Sequence, residues 1–275
     1  MDGGRPRIGR VLVIAGSDSE GGAGIQAYIK TLTALGAYAA TAITALTIQD
    51  TERVHEIFPL PPAFLIRQIA VALADPGADA IKIGMLGGVA AVAAVADALA
   101  AARQELPVVI DPVMLAKGGE ALLAADGMAL FKRRLLPFAT LLTPNIPEAE
   151  ALAGMRIRDR AAMHDAAAAL LTLGVPAVLL KGGHLPGETV TDLLATLDGV
   201  EGFEAPRHPT RHTHGTGCTL ASAVAAGLAA GWTLRAAVAR AHAYVQAAIA
   251  AAPGIGRGHG PLGHAVTVER RWIEV

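Results

Sequence analysis

The sequence predicts a three-layer, doubly wound α/β protein: a mostly parallel sheet with helices on both faces. Three observations carry the fold class. Short apolar runs alternate with helix-patterned stretches along nearly the whole chain. The runs lack polar alternation, as strands buried on both faces do. Most of them end at a glycine or at a polar pair such as Asp111-Pro112 or Pro144-Asn145. With no shift in composition and no repeat of fixed period, one domain over residues 1–275 is expected.

Val11–Ala15 is the first strand, and the loop from Gly16 to Gly24 leads to a helix over Ile25–Leu35 that closes at Gly36. Tyr38–Leu46 is the second strand, followed by the polar cluster Thr47–Thr51. Val54–Phe58 alternates like an edge strand, and Pro61-Pro62 opens a helix to about Ala74. Strand–helix units follow: Ala80–Ile83 with a helix over Val89–Arg103, and Val108–Ile110 with a loop through Lys117-Gly118-Gly119. Leu141–Thr143 precedes a helix carrying Glu148. Helix Arg160–Leu173 leads to strand Ala177–Leu180. Val190–Leu197 and Val200–Ala205 flank Asp198-Gly199, a tight hairpin. Helices over Gly217–Ala230 and Thr233–Ala252, the second capped by Thr233, precede a loop-like tail beyond Pro253.

Composition excludes several classes of function. A formal net charge of −1 provides no field that recruits nucleic acid or an acidic membrane. No apolar stretch reaches the length of a membrane span, and Met1–Arg10 is short and polar, unlike a signal peptide. The single cysteine fits a reducing cytoplasm.

That cysteine lies in Thr213-His214-Gly215-Thr216-Gly217-Cys218-Thr219, a polar turn running into an alanine-rich helix. Two glycines one residue apart let the backbone turn tightly, and the first N–H groups of the helix have no internal partner. This is a cradle for an anion, most naturally a phosphate. Asp18, Gln49, Met85, Asp111, Asn145 with Glu148, and Lys181 fall just past the strand ends, where ligands bind in open α/β sheets. Taken alone, each has an ordinary explanation as a turn former, cap, core residue or solvated charge; their shared position argues for a site. Together they suit phosphoryl transfer. Gly215–Cys218 is the cradle, Asp111 and Glu148 hold Mg²⁺ largely through waters, and Lys181 faces nucleotide phosphates. No G-x-x-x-x-G-K-[ST] sequence occurs, so the scaffold is not a P-loop. Cys218, at a helix N-terminus, is a candidate proton acceptor, although nearby phosphates would oppose its ionisation. His184, His208, His212 and His214 show no zinc-ligand spacing with a third partner.

These motifs resemble the bacterial hydroxymethylpyrimidine/phosphomethylpyrimidine kinases of thiamin biosynthesis, within the ribokinase-like superfamily. The likeness runs from about Arg10 to the tail. It includes Ala15–Asp18, Gly21–Ala27, Ile43–Leu46, Lys82–Leu86, Asp111–Met114, Leu142–Asn145 with Pro147–Ala149, Lys181–His184 and His214–Cys218. The resemblance implies an ATP- and Mg²⁺-dependent kinase acting on 4-amino-5-hydroxymethyl-2-methylpyrimidine and then on its monophosphate. It implies Gly215, Thr216, Gly217 and Cys218 as the catalytic turn, with Cys218 where sugar kinases carry a catalytic Asp. It further implies Gly16, Gln49 and Met85, with Asp18 and Asp111, on the substrate; Asn145, Lys181 and Thr213 on the nucleotide; and Glu148 with Asp111 at the metal. A homodimer is also implied. Tyr28 stands where the family usually has an acid, near the substrate pocket, and Glu20 where Ser or Gly is usual, so the expected consequences fall on substrate choice or on the relative rates of the two phosphorylations. The competing expectations are a pyridoxal-type kinase, a kinase of the monophosphate step only, and a pyrimidine sensor without turnover. The Glu20 loop and Leu115–Glu120 are the candidate lids.

Overall fold

In the computed structural model, which describes residues 8–102, 105–114 and 125–269, every strand joins one sheet. β1 (Arg10–Ser17), β2 (Tyr38–Gln49), β4 (Ala80–Ile83), β5 (Val108–Ile110), β6 (Leu141–Leu142) and β7 (Ala177–Leu180) run parallel. β3 (Val54–Pro59) closes one edge antiparallel to β2, and the hairpin β8 (Thr189–Thr196) and β9 (Gly199–Pro206) closes the other. The order is β3-β2-β1-β4-β5-β6-β7-β8-β9. The chain winds outward from β1 to β3 and then returns to lay β4 on the other side of β1. That reversal places a crevice at the carboxyl ends of β1 and β4, where such sheets bind ligands.

Period-two packing divides the core. Leu12 and Ile14 of β1 face α2 (Pro62–Ala74) and α3 (Val89–Ala102), alongside Leu65, Ile69, Val92 and Val95. Val11 and Val13 face the other layer, α1 (Gly24–Ala34), α7 (Thr216–Ala229) and α8 (Leu234–Ala250). α4 (Ala125–Leu130), α5 (Ile146–Ala153) and α6 (Arg160–Leu171) complete the first layer.

Local signals account for the helix ends. Asn145 and Glu148 form a reciprocal capping box at α5, which stops at Gly154 in the left-handed region (φ 69°). Thr233 accepts from the Ala236 N–H at α8. Gly199 (φ 146°) turns the β8–β9 hairpin.

Two expectations change, and one unassigned stretch gains structure. β2 does not stop at Leu46: its pairing with β3 carries it through Gln49, which is therefore the last strand residue rather than a loop residue. The stretch before β6, to which the sequence assigned no element, holds α4, a π-helical turn over Phe131–Leu135 and a 3₁₀ turn over Leu136–Phe138. Phe131, Leu135 and Leu136 are buried there, so burial rather than an obvious period shapes it. The tail beyond Pro253 is not merely a loop. It pairs Pro261 with His214, forms a 3₁₀ turn over His264–Thr267, and ties α1, α7 and α8 together. Residues 115–124, which include the Leu115–Glu120 lid candidate and the Lys117–Gly119 loop, lie outside the described residues, as does Arg103 at the expected end of α3.

His264 anchors this tail. It is buried; its Nε2 lies 2.9 Å from the Thr219 hydroxyl of α7, and its carbonyl accepts from Tyr244 of α8 at 2.8 Å. Burial, with Lys30 nearby, lowers its pKa from 6.5 to about 4. The unfolded chain therefore binds more protons than the folded one between those values. Stability is full above about pH 6.5 and falls as the pH drops towards 4, by on the order of 3 kcal/mol. His264→Gln is expected to flatten that part of the curve of unfolding temperature against pH; parallel wild-type and variant curves would remove His264 as its source.

Candidate active site

The site begins with close approaches that only glycine permits. Gly215 caps α7 at φ 80° and ψ 9°, and a Cβ there would run into the Gly22 carbonyl oxygen. Gly24 opens α1 at φ 53° directly beneath the Gly16 carbonyl. The turn before α7 is thus packed on the loop between β1 and α1, and the free N–H groups of α7 open into the crevice.

Asp18 holds that loop. Its carboxylate accepts from the Glu20 N–H (3.0 Å) and the Ala23 N–H (2.8 Å), and lies 3.0 Å from His214 Nε2. Burial opposes its ionisation, but His214 and the two N–H groups outweigh it and hold the carboxyl below its usual value. Glu20 accepts from Gly22 (2.8 Å) and lies 3.5 Å from His214. Among the described residues, Asp18, Glu20 and His214 are the His/Cys/Asp/Glu trio that converges, with a loop clamp already accounting for the oxygens of Asp18.

Deeper in lies a buried charge cluster. Asp111, past β5, accepts from Lys181 Nζ at 2.8 Å and from the Thr143 hydroxyl at 3.3 Å. Lys82 Nζ is 3.9 Å from its other oxygen. Burial would raise Asp111, yet the two lysines hold it low, while Asp111 and Glu148 raise Lys181 against its own burial. Glu148 is different. Burial pushes it up to about 7; Lys181 pulls it down and Asp111 pushes it further up. Its Oε2 accepts from the Asn145 N–H at 2.8 Å, so the cap and the cluster share one carboxylate.

Cys218, in the first turn of α7, is half-buried at the centre. Burial raises its thiol above the ordinary value, and Asp111 adds to this. Lys82, the Gly24 N–H and the Tyr28 hydroxyl pull the other way without overcoming burial. The helix N-terminus therefore does not make Cys218 a ready thiolate. Tyr28 lines the same cavity as Gly16 and Met85, and is at the same time fully buried on α1 against Lys82 and Cys218, with Gly84 leaving room for its hydroxyl.

A single cavity of about 750 Å³ connects these parts. At one end it is lined by Gly16, Thr47, Gln49, Val54, Ile57 and Met85; at the other by Val190, Pro206, His242, Val245 and Ile249. Gly215–Cys218, Asp111, Asn145, Glu148, Lys181, Thr213 and Asp18 line it between. Gly16 has no side chain because Met85 lies over it, where a Cβ would come within 2.5 Å of Met85 Cε. Gln49 reaches the cavity from the end of β2, its Nε2 3.2 Å from His214 Nε2.

The family model described as phosphomethylpyrimidine kinase matches residues 18–263. The chain belongs to the phosphomethylpyrimidine kinase family. It is therefore a kinase. It is 46% identical over 254 residues to a hydroxymethylpyrimidine/phosphomethylpyrimidine kinase of Streptomyces coelicolor, covering 92% of this chain and 93% of that protein. It is 48% identical over 261 residues to the thiamine biosynthesis bifunctional protein ThiED of Geobacter sulfurreducens, matching 95% of this chain but only 53% of that longer protein. Among solved structures it is similar to Bacillus subtilis pyridoxal kinase in an ADP complex (TM-score 0.87, 34% identity, 94% of this chain and 98% of that one). It is also similar to phosphomethylpyrimidine kinase of Clostridium difficile (TM-score 0.77, 36% identity, 87% and 98%). These neighbours bear out the expected ribokinase-like architecture.

Against this kinase family frame, two residues were missed as site members: Lys82 and His214. Lys82 had a signal, a lone lysine inside an apolar strand that must be buried on both faces. His214 stood inside the Thr213–Thr219 turn already singled out, but its role had no local signal, since its partner Asp18 is 196 residues away. Gly215→Ala is expected to destabilise the protein by about 1–3 kcal/mol in urea unfolding and to abolish turnover, because strain and a backbone clash coincide there. Wild-type stability and activity in that variant would show that the turn can move.

Proposed function

We propose that this chain, as one kinase domain, transfers the terminal phosphoryl group of ATP to the 5-hydroxymethyl group of 4-amino-5-hydroxymethyl-2-methylpyrimidine. It then phosphorylates the monophosphate to the diphosphate, in thiamin biosynthesis. The observation that carries this reading is the place of the Gly215–Gly217 turn and Cys218: in one cavity, between the Gly16, Gln49 and Met85 lining and the lining from α8 and the β8–β9 hairpin. The pyrimidine is assigned to the Gly16, Gln49 and Met85 end, where an amide meets the donors and acceptors of an aminopyrimidine edge. Asp18 serves that end by fixing its loop, and Asp111 borders it. ATP is assigned to the other end, past Asn145, Lys181 and Thr213.

In the transfer, the hydroxymethyl oxygen forms a bond to the terminal phosphorus as the bridging oxygen on the ADP side leaves. Charge gathers on the phosphoryl oxygens, which Lys181 and the α7 N–H groups face. Cys218 receives the hydroxyl proton. Because its thiol is raised, that role needs ionisation that Lys82 and the Gly24 N–H support, and turnover is expected to rise with pH through the alkaline range. For Mg²⁺, the donors fit: both are hard carboxylate oxygens, and Glu148 is buried while the nearby Lys181 is paired with Asp111. When bound, the ion would screen the phosphate charge, held by Glu148 and Asp111 through waters.

A second reading, pyridoxal kinase, is favoured by the likeness to the Bacillus subtilis enzyme. A non-catalytic sensor is disfavoured by the buried Lys181–Asp111 pair beside Cys218. The chain is assigned to the cytoplasm as a homodimer, for which the exposed Leu46, Ile48 and Phe58 on one face of the β2–β3 edge offer an apolar surface. Among the described residues no helix is long and apolar enough to cross a membrane.

ATP turnover measured on the hydroxymethylpyrimidine, its monophosphate and pyridoxal is expected to rank the first two above the third; preference for pyridoxal would overturn the assignment. Cys218→Ala should retain pyrimidine binding in calorimetry while turnover falls by roughly 10²–10⁴; unchanged turnover would make the thiol a packing group. Glu148→Gln should demand more Mg²⁺ for half-maximal rate, and an identical titration would remove Glu148 from the metal site.

A further inference from the structure

Tyr28 has no part in the transfer chemistry set out above, yet its side chain sits at the centre of it. The ring is fully buried on α1, with Lys82 Nζ 3.6 Å from its centroid. Its hydroxyl points at Cys218 Sγ, 3.7 Å away. Gly84 leaves the space: a Cβ at that position would run into the Tyr28 hydroxyl. Lys82 Nζ is itself fully buried and makes no hydrogen bond. Burial on this scale normally drives an amine to lose its charge or to find an acceptor. What faces it here is a π surface, with the Asp111 carboxylate 3.9 Å away.

We propose that Tyr28 is a positioning residue for phosphoryl transfer: its hydroxyl holds the Cys218 sulfur at the cradle, and its ring keeps the Lys82 ammonium turned towards that sulfur. The physical reasoning is one of charge. Asp111 already faces Lys82, and a second carboxylate at position 28 would repel a thiolate at Cys218. The ring attracts the ammonium without adding a negative charge, and so works against the burial that lowers the Lys82 pKa. A phenol also donates to a thiolate, and this one stays protonated, because burial raises its pKa well above the ordinary range, with Cys218 and Asp111 adding to the effect. The groups facing Cys218 are Tyr28 from α1, Lys82 from β4, Asp111 beyond β5 and Lys181 beyond β7, with the Gly24 N–H at the start of α1; Glu148 of α5 acts on Lys82. Among these, Tyr28 alone touches both the cation and the sulfur.

The inference rests on Cys218 acting at the transferred group, and its test separates the two. As the chain has one cysteine, iodoacetamide alkylation reads Cys218 directly, without turnover. Tyr28→Phe keeps the ring and removes the hydroxyl. The pH for half-maximal alkylation rate is expected to rise by about one unit or more, and kcat to fall roughly tenfold with KM for ATP unchanged. Tyr28→Leu, which also removes the ring, should shift the alkylation profile further. If it does not fold, Tyr28→Phe still decides. An unchanged alkylation profile in Tyr28→Phe, whatever happens to kcat, would reduce Tyr28 to packing. A shifted profile with wild-type kcat would show that the contact exists but does not serve transfer. Failure of Cys218 as a catalytic residue would appear separately, as full turnover in Cys218→Ala.

Discussion

The site depends on one electrostatic constraint: two lysines are buried around a single committed carboxylate. Asp111 pairs closely with Lys181 and only loosely with Lys82, at 2.8 and 3.9 Å. Glu148, raised to about 7, supplies only part of a negative charge at neutral pH. The cluster therefore holds a surplus of lysines over committed carboxylates, and burial lowers the Lys82 pKa because a buried ammonium is costly unless an anion answers it. Transferred phosphoryl groups, and a thiolate at Cys218, are anions that answer it. The same surplus explains why Asp111 stays ionised despite being almost wholly buried, and why Glu148 does not do so readily: the nearer lysine is already taken.

That electrostatic arrangement works only because backbone comes very close to backbone around it. Gly215 lies against Gly22, and Gly24 lies beneath Gly16, so the head of α7 meets the end of β1 with no side chain between. Asp18 and His214 lock the two loops together, and the tail backs His214 through Gly260 and Pro261. The α7 N–H groups and Cys218 are fixed from behind as well as from the sides. A cradle held this way is preorganised, and preorganised dipoles stabilise developing charge without reorganising when it appears.

Much of this was legible in the sequence, and for identifiable reasons. Strands such as Val11–Ala15 and Ala177–Leu180 are short apolar runs closed by polar punctuation, so the alternation of strand and helix could be read directly. The Asn145–Glu148 cap and the Asp198-Gly199 hairpin are local, and local chemistry is visible in local sequence. The residues named for the site all line one cavity because strand ends converge by topology. What could not be read depends on distance along the chain. The Asp18–His214 pair spans 196 residues, Tyr28 reaches Cys218 across 190, and the tail's grip on α7 joins Thr219 to His264. The direction of the Cys218 shift was likewise closed to sequence, since a helix N-terminus and burial oppose each other and only the packing shows that burial wins.

Position 28 shows how a single substitution can be absorbed by its surroundings. In the sequence, an aromatic residue in place of an acid looks like a change in the substrate pocket. In the fold it also bears on the inner cluster, since Tyr28 lines the cavity while lying over Lys82 and beside Cys218. Gly84 makes room for the phenol, and the ring lies over the ammonium. The consequence follows from Coulomb's law at short range: a neutral phenol adds no negative charge to a cluster that has to attract anions. Any effect of Tyr28 should therefore fall first on the phosphoryl group and the thiol, and on the pyrimidine ring only through them.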